Sequence, residues 1–419
     1  MLYISYFMEN PFDGVILFIP FLIQWWWIFL PPILFFIFKE LWLYYVKIGY
    51  LSRMSWTMLE ISVPREVFQT PKAIENIFAS LHSISIPPEF MEIYRKGKVQ
   101  DYICLEMVGG GGKSHFYIRT PSGLKGYVSS QIYAHYPKAE IKEVSDYTAD
   151  MPLNAPDTQY DLWGTEMKLT KEDGYPIKTY IEFEDTVEEK RIDPVSSLIE
   201  SFAQLRDNEQ IWIQILIRPT YAPWDKEGQK LVNKIIGKKA ASKKDWADKF
   251  LDMMFLPIKI MLSAEGGKKE EKKEPSLMQH LSPGQKEIVE SIERNVSKLG
   301  FDTAIRTLYI GKRDVFNRAN IAAIMGFFKQ FNTLNLNGFR PNSEISPRVK
   351  FPIFKKQREY ARKKKIYRAY RLRLPAKINF IFNTEELATI FHFPSTVVEA
   401  PSTPRIEAKK AEPPINLPI

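Results

Sequence analysis

The first 46 residues contain the feature that most limits what this chain can fold into. From Gly14 to Phe38 no residue is charged, and nearly all are Ile, Leu, Phe, Val or Trp. A helix of about 25 such residues is roughly 37 Å long, enough to cross a hydrocarbon core of about 30 Å. The sequence therefore predicts a membrane anchor at residues 1–53, followed by a body of soluble character.

The residues around this run predict its orientation. Lys39, Lys47 and Arg53 follow it, whereas Glu9 and Asp13 precede it. The positive-inside rule then predicts a cytoplasmic C-terminal side, with the N-terminus outside the inner membrane. A cleaved signal peptide fits poorly because the run has neither a basic start nor a cleavage site of small residues.

Two arrangements of the anchor remain open. Pro31-Pro32 cannot donate backbone hydrogen bonds, and Trp25–Trp27 would prefer the membrane interface. One arrangement is a single kinked span, which could be shifted towards Ile28–Val46 with the Trp cluster at its outer edge. The other is a re-entrant hairpin that turns near Pro31, or an interfacial segment.

The predicted fold class is α+β: an N-terminal transmembrane helix followed by two ferredoxin-like αβ units. The first unit covers residues 54–150 and has the order β-α-β-β-α-β. Its predicted elements are a strand at Met58–Val63, a helix after Thr70-Pro71, a strand pair at Tyr102–Val108 and His115–Arg119, a helix at Tyr127–Tyr136 and a strand at Ala139–Val144.

The second unit covers residues 151–345. Its regular structure is predicted to begin near Trp163. The predicted elements are a strand at Ile177–Phe183, a helix from Asp193-Pro194 to Leu205, a strand at Gln210–Arg218, a helix at Pro283–Leu299, a strand at Thr303–Gly311 and a helix at Val315–Phe331. The unit contains a charged low-complexity insertion near 221–280, in which the charge-balanced run Gly266–Pro275 is predicted to be a linker. Within the insertion, Trp246–Leu262 is predicted to be an amphipathic helix.

Three segments follow the second unit: a basic segment at 346–375, a closing strand and helix at 376–399, and a Pro-rich tail at 400–419. Within this segment, the run Lys355–Arg373 has ten cations and one acid, Glu359, and carries a net charge equal to the +9 of the whole chain. Its cations are Lys355, Lys356, Arg358, Arg362, Lys363, Lys364, Lys365, Arg368, Arg371 and Arg373.

The basic segment is the candidate binding site. Lys and Arg neutralise phosphates, and the interleaved rings of Phe354, Tyr360, Tyr367 and Tyr370 can stack on unpaired bases. Anionic lipid headgroups are a second target, and a solvated helix with no ligand is a third interpretation. The sequence leaves the three open.

Other motifs predict no catalytic, metal or cofactor site. Gly109–Ser114 ends like a phosphate-binding loop, but Met107 stands where the first Gly is needed and a strand follows it. We therefore predict a hairpin loop. The five histidines lack metal-ligand spacing, and the single cysteine, Cys104, lies in an apolar run typical of a protein core.

Several stretches resemble a known kind of protein. They are Asn383–Pro394, the tail Pro413–Pro418, Phe116–Arg119 and Trp212–Pro219. They resemble the membrane-anchored region that precedes the ATPase domain in bacterial proteins related to type IV secretion coupling ATPases and HerA/FtsK-like DNA translocases. The resemblance covers roughly Trp56 to Ile419, and no Walker A motif is present in the sequence.

The resemblance implies a non-enzymatic, membrane-anchored accessory or scaffold component of a type IV secretion-like or DNA-translocation machine. Its expected partners are the membrane, a separately encoded motor ATPase and DNA, and a homo-oligomer remains open. The alternatives are an enzyme that acts on lipid or peptide at the membrane surface and a purely structural envelope protein.

Overall fold

The computed structural model describes residues 11–64, 69–84, 87–183, 193–221, 223–237, 281–349, 351–374 and 379–394. The chain separates into two compact units. The first contains described residues of 1–55 and 86–100, and the second contains described residues of 56–85 and 101–419. The predicted helix Trp246–Leu262 and the Pro-rich tail lie outside the described residues.

The first unit is built on one long helix, α1 (Pro11–Arg53). A π-helical turn at Glu92–Lys96 packs on it, and the indole nitrogen of Trp42 donates a hydrogen bond to the carbonyl oxygen of Tyr94 over 2.8 Å. Gly97 has a φ of 66°, and a Cβ there would lie 2.1 Å from the carbonyl oxygen of Val46. Glycine is therefore needed for this close approach.

The prediction of an N-terminal transmembrane helix is wrong. Among the described residues, no helix combines the length and apolar character required to cross a bilayer. Lys39 and Glu40 follow Phe38 in the same helix, and Lys47 lies further along it, so charged residues interrupt the described apolar side chains of α1. A span needs about 20 predominantly apolar residues. The helix also continues through Pro31-Pro32, so the chain does not turn back there.

The second compact unit contains one antiparallel sheet with helices, so the predicted α+β content is confirmed. The strands are β1 (Trp56–Ser62), β2 (Ile103–Gly110), β3 (Lys113–Pro121), β4 (Glu140–Val144), β5 (Tyr160–Leu169), β6 (Glu209–Pro219), β7 (Gly300–Lys312), β8 (Phe339–Pro341) and β9 (Phe380–Asn383). The helices are α2 (Pro71–Leu81), α3 (Lys125–His135), α4 (Ser196–Ala203), α5 (Trp224–Ile236), α6 (Pro283–Val296), α7 (Ala319–Lys329), α8 (Lys355–Arg371) and α9 (Thr384–Ile390).

The order of strands in the sheet contains an internal repeat. It runs β4-β1-β3-β2-β6-β7-β5-β8, and β9 pairs with the beginning of β7. If the strands are numbered within β1–β4 and within β5–β8, each set reads fourth, first, third, second from its outer edge to the middle. The two halves are therefore joined by the antiparallel pair β2–β6.

Side chains of successive strand residues alternate between the two faces of the sheet, as the pleat requires. Helices α2, α3, α4, α7 and α9 cover one face, on which Ile211, Ile213 and Ile215 are buried. The other face buries Trp212 and Leu308 beneath helix α8. Two helices, α5 and α6, pack on each other through Leu231, Val232, Val289 and Ile292.

Two local features of this compact unit differ from what the sequence predicted. Ile177–Phe183 is not a strand: its backbone N–H groups bond to the Glu386 carboxylate, the Phe331 carbonyl and the Thr389 hydroxyl instead of a neighbouring strand. Helix α5 lies in the first part of the insertion, for which no element was predicted, and its apolar residues bury against α6.

Candidate functional site

The basic segment forms helix α8, which lies on the second face of the sheet. Ile366, Tyr367 and Tyr370 are the buried residues of this helix, at the i, i+1 and i+4 positions of one helical side. The rings of Tyr367 and Tyr370 lie 6.3 and 5.4 Å from that of Trp212, between centroids. The two tyrosines therefore fix the helix on the sheet and are not exposed for stacking on a ligand.

Six cations of the segment are exposed: Lys355, Lys356, Arg358, Lys364, Lys365 and Arg368. Within the described residues none of them forms an ion pair. Four of them, Arg358, Lys364, Lys365 and Arg368, point away from the sheet because they lie opposite the buried side of the helix; we call these four the basic face. Their charges are available to an anionic partner.

Three further cations are partly engaged with the protein. The Lys363 ammonium lies 2.5 Å from the Asp161 carboxylate. Arg362 donates to the carbonyl oxygens of Ser343 and Ser346 over 3.0 and 2.9 Å. The guanidinium of Arg371 lies over the ring of Tyr367, with 5.6 Å to the centroid. These contacts hold the sides of the helix and reduce the charge that the segment presents to solvent.

Arg373 is not part of the surface, although the sequence places it in the basic run. Its side chain is 1% exposed and lies just after the helix, in a turn with a φ of 47°. Its Nε and Nη2 donate to the Glu106 carboxylate over 3.0 and 3.1 Å, and Nη2 also donates to Asp146 over 3.0 Å. The prediction that Arg373 binds a ligand is therefore corrected: two carboxylates already satisfy it.

Charge and burial act in opposite directions at this buried pair. Burial alone would lower the pKa of Arg373, but Glu106 and Asp146 raise it. Burial likewise favours a neutral Asp146, yet the hydrogen bond and charge of Arg373 hold the pKa of that carboxyl below its ordinary value. Both groups are therefore charged at neutral pH.

A second set of buried polar contacts holds the end of the helix. Gln214 donates to the carbonyl oxygen of Tyr370 over 3.2 Å and to Glu106 over 2.8 Å. Arg306 donates to the carbonyl oxygen of Ala369 over 3.2 Å and pairs with Glu166 over 2.8 Å. The last carbonyl groups of a helix lack partners within it. Here the N–H groups of Arg373 and Leu374 donate to the carbonyl oxygens of Tyr370 and Ala369, and the sheet side chains add a second donor to each.

The segment that begins α8 exposes apolar side chains, which sequence reasoning missed. Phe351, Ile353 and Phe354 are 55%, 56% and 71% exposed. The sequence signal is the run Phe351-Pro352-Ile353-Phe354 directly before the first lysines. Tyr360 is also exposed, at 47%.

The glycine run forms the predicted hairpin. Gly109 and Gly110 end β2, Lys113 begins β3, and Gly111 and Gly112 make the turn with positive φ angles of 55° and 74°. A strand follows instead of the helix that a phosphate-binding loop requires. Cys104 is fully buried, and burial raises the pKa of its thiol to about 12, as expected for a core cysteine.

A small cavity lies between the ends of β1 and β3. It is bordered by Glu60, His115 and Phe393 and has a volume of about 20 Å³, room for about one water molecule. The His115 Nδ1 atom lies 2.6 Å from a Glu60 oxygen, and this hydrogen bond lowers the pKa of Glu60. The cavity is too small for a substrate.

The described residues also contain no group of three or more His, Cys, Asp or Glu side chains placed to hold a metal ion.

The segment Asn383–Pro394, which carried the resemblance, is largely internal. Every residue of α9 is buried, and Asn383 and Glu386 form a reciprocal cap at its start. Burial raises the pKa of Glu386 to about 8. His392 is also buried, and its two ring nitrogens lie within 2.9 Å of the Ala388 carbonyl and the Asp193 carboxylate. These residues hold the core together and offer no surface.

Comparison with known proteins places residues 51–405 in a family. They match the family model described as Domain of unknown function (DUF8128). No curated protein matches the chain.

Proposed function

Since the chain belongs to the DUF8128 family, whose function is unknown, we propose a role from the geometry of α8. The protein is a non-enzymatic accessory component of a DNA-translocation machine, and it holds DNA through the basic face. The observation that carries this proposal is the position of Arg358, Lys364, Lys365 and Arg368 on one exposed side of a helix that is fixed to the sheet.

The dimensions of the helix suit a duplex. From Lys355 to Arg368 the helix rises about 20 Å, at 1.5 Å per residue. Over that distance the axis of a DNA duplex passes about twelve phosphates, one per 1.7 Å. Several cations can therefore contact phosphates at the same time, with the release of counterions.

The attachment of the helix supports the same role. Tyr367, Tyr370 and the hydrogen bonds from Gln214 and Arg306 hold α8 in one position before a ligand arrives. A preformed row of charges loses less conformational entropy on binding than charges on a flexible segment. The cations bind phosphate without reading base sequence, so we expect little sequence preference.

The motor partner in this proposal rests on the resemblance of Asn383–Pro394 to the region that precedes translocase ATPase domains. The chain would position DNA for a separately encoded P-loop ATPase. A gene for such an ATPase beside the gene for this protein is the expected observation.

The test is DNA affinity as a function of salt. We expect fluorescence anisotropy with a labelled duplex to show a log–log dependence of affinity on salt with a slope of about −0.9 per phosphate contact. The variant Lys364→Gln/Lys365→Gln/Arg368→Gln should bind more weakly and reduce the slope by up to about 2.7.

The matched control is Lys226→Gln/Lys230→Gln/Lys286→Gln, which removes the same charge from exposed positions on α5 and α6. It should leave both affinity and slope close to those of the unmodified protein. Affinity that is absent or insensitive to salt would disprove the proposal, and so would equal losses in the two triple variants.

A further inference from the structure

The segment Phe351–Phe354 presents a small apolar projection at the start of α8. Phe351, Ile353 and Phe354 expose more than half of their side-chain surface, and Pro352 between them is also exposed. Water contact with three large apolar side chains in four residues is unfavourable by about 25 cal/mol per Å² of apolar surface. Clustered exposure of this kind marks an interaction site.

The backbone holds this projection in place. Phe354 has a φ of 52° and a ψ of 34°, a left-handed conformation that bulky residues rarely adopt. The Lys355 N–H donates to the carbonyl oxygen of Pro352 over 3.3 Å, and the Arg358 N–H donates to that of Phe354 over 3.0 Å. The turn is thus continuous with the helix. Strain that a structure maintains in this way is typical of functional positions.

The charges beside the projection indicate the kind of partner. Lys355 and Lys356 are exposed directly after Phe354. Arg358 follows Gln357, and its guanidinium lies 5.8 Å from the ring centroid of Phe351. The nearest acid in the sequence, Glu359, accepts a hydrogen bond from the Val349 N–H over 3.5 Å. The apolar side chains are therefore accompanied by exposed cations.

Three kinds of partner differ in how well they match this surface. Ile353 has no ring with which to stack on bases, so its exposure is not explained by a nucleic acid. The buried centre of a protein interface is depleted in lysine, which disfavours a protein partner. An anionic bilayer surface matches both parts, because apolar side chains enter the headgroup–acyl boundary while Lys and Arg contact lipid phosphates.

We propose that Phe351, Ile353 and Phe354 insert into the surface of an anionic lipid bilayer, while Lys355 and Lys356 bind the headgroup phosphates. This is peripheral contact by a turn and involves no membrane span. The basic face begins only at Arg358, so the proposal does not depend on DNA binding.

A fluorophore at one engineered cysteine tests the contact in the full chain. Cys104, the single native cysteine, is fully buried, so a surface cysteine can be labelled selectively. Ile353→Cys carries an environment-sensitive dye and is mixed with phosphatidylcholine vesicles that contain or lack phosphatidylserine. We expect the emission of the dye to shift to the blue only with the vesicles that contain phosphatidylserine. The dye reports only its own surroundings, so vesicle contact elsewhere in the chain does not produce the signal.

Two controls decide the outcome. Leu334→Cys places the same dye at a leucine that is 98% exposed and lies outside this segment, and it should show no shift. Lys355→Gln/Lys356→Gln in the labelled Ile353→Cys protein should reduce the shift several-fold. The proposal is overturned by the absence of a shift at position 353, by an equal shift at position 334, or by a shift that duplex or single-stranded DNA produces and vesicles do not.

Discussion

Arg373 connects the C-terminal end of α8 to the sheet through buried charge. It brings a full positive charge into a site where Glu106 is completely buried, and it also pairs with Asp146. Its position could not be predicted from the sequence, which shows only one more cation in a basic run. The left-handed turn after Arg371 directs the side chain inward, and the two acids that receive it are distant in the sequence.

We expect Arg373→Met to destabilise the protein by about 3–5 kcal/mol, because Glu106 would remain buried without its charged partner. Urea unfolding measures this free energy. Arg368→Met is the matched control at an exposed position, where a change within about 0.5 kcal/mol is expected. Similar losses in the two variants would show that the buried pair does not stabilise the fold.

Glu386 is the residue from which we expect a pH dependence of stability. Burial raises its pKa from the ordinary 4.5 to about 8 in the folded protein. Between these values the folded state binds a proton that the unfolded state has lost. The free energy of unfolding should therefore fall as pH rises through this window, by up to about 1.4 kcal/mol per pH unit from this group.

Urea unfolding between pH 5 and pH 8 checks this expectation. In Glu386→Gln, which cannot titrate, the decrease with pH should be smaller. A stability curve with the same slope in both proteins would contradict the raised pKa of Glu386.

At the scale of elements, α8 is a helix with two different sides. The sequence shows cations mixed with aromatic residues, and we interpreted the tyrosines as rings for stacking on bases. Ile366, Tyr367 and Tyr370 have the spacing of one helical side, and this pattern was the available signal that they are buried. Four of the ten predicted cations form the basic face, and Lys355 and Lys356 are exposed before it. The remaining four are engaged or buried.

The buried and exposed sides of α8 predict losses of stability of different size for the same substitution. Tyr367→Ala removes a buried ring that packs on Trp212 and should destabilise the protein by about 3–5 kcal/mol. Tyr360→Ala removes an exposed ring and should cost less than about 1 kcal/mol. Thermal or urea unfolding distinguishes the two, and equal effects would mean that the helix does not pack as described.

Strands β2, β3, β6 and β7 were predicted from the sequence. Ile177–Phe183 alternates apolar and polar residues but is not a strand. Its N–H groups are satisfied by Glu386, Phe331 and Thr389, which lie far away in the sequence. Local alternation reports only which residues are buried, so it cannot show whether a neighbouring strand is present.

At the scale of the second unit, two halves with the same strand order form one sheet. This repeated strand order could not be predicted from residue identities. Two halves can share an order of strands and helices without sharing residues at corresponding positions. The joint pairs β2 with β6 over eight residue pairs, and Glu106 lies opposite Gln214 within it. Their side chains are buried, with apolar residues of the same strands on the other face.

The pairing of β2 with β6 predicts that the two halves of the sheet unfold together. In native-state hydrogen exchange, amides of β2 and β6 should belong to the same slowest class and exchange with the free energy of global unfolding. Mass spectrometry of peptides that cover 103–110 and 209–219 measures this. If one strand exchanged through a separate opening of lower free energy, the halves would be independent folding units.

The outer strands of this sheet have features that oppose pairing with the sheet of another molecule. An exposed strand edge is a template for another strand, and two halves that join edge to edge show how readily such pairing occurs. At one border β4 carries Glu140, Lys142 and Glu143, and at the other β8 is three residues long and ends at Pro341. Charge, brevity and proline each oppose the addition of a further strand. The borders thus protect a duplicated sheet from polymerising.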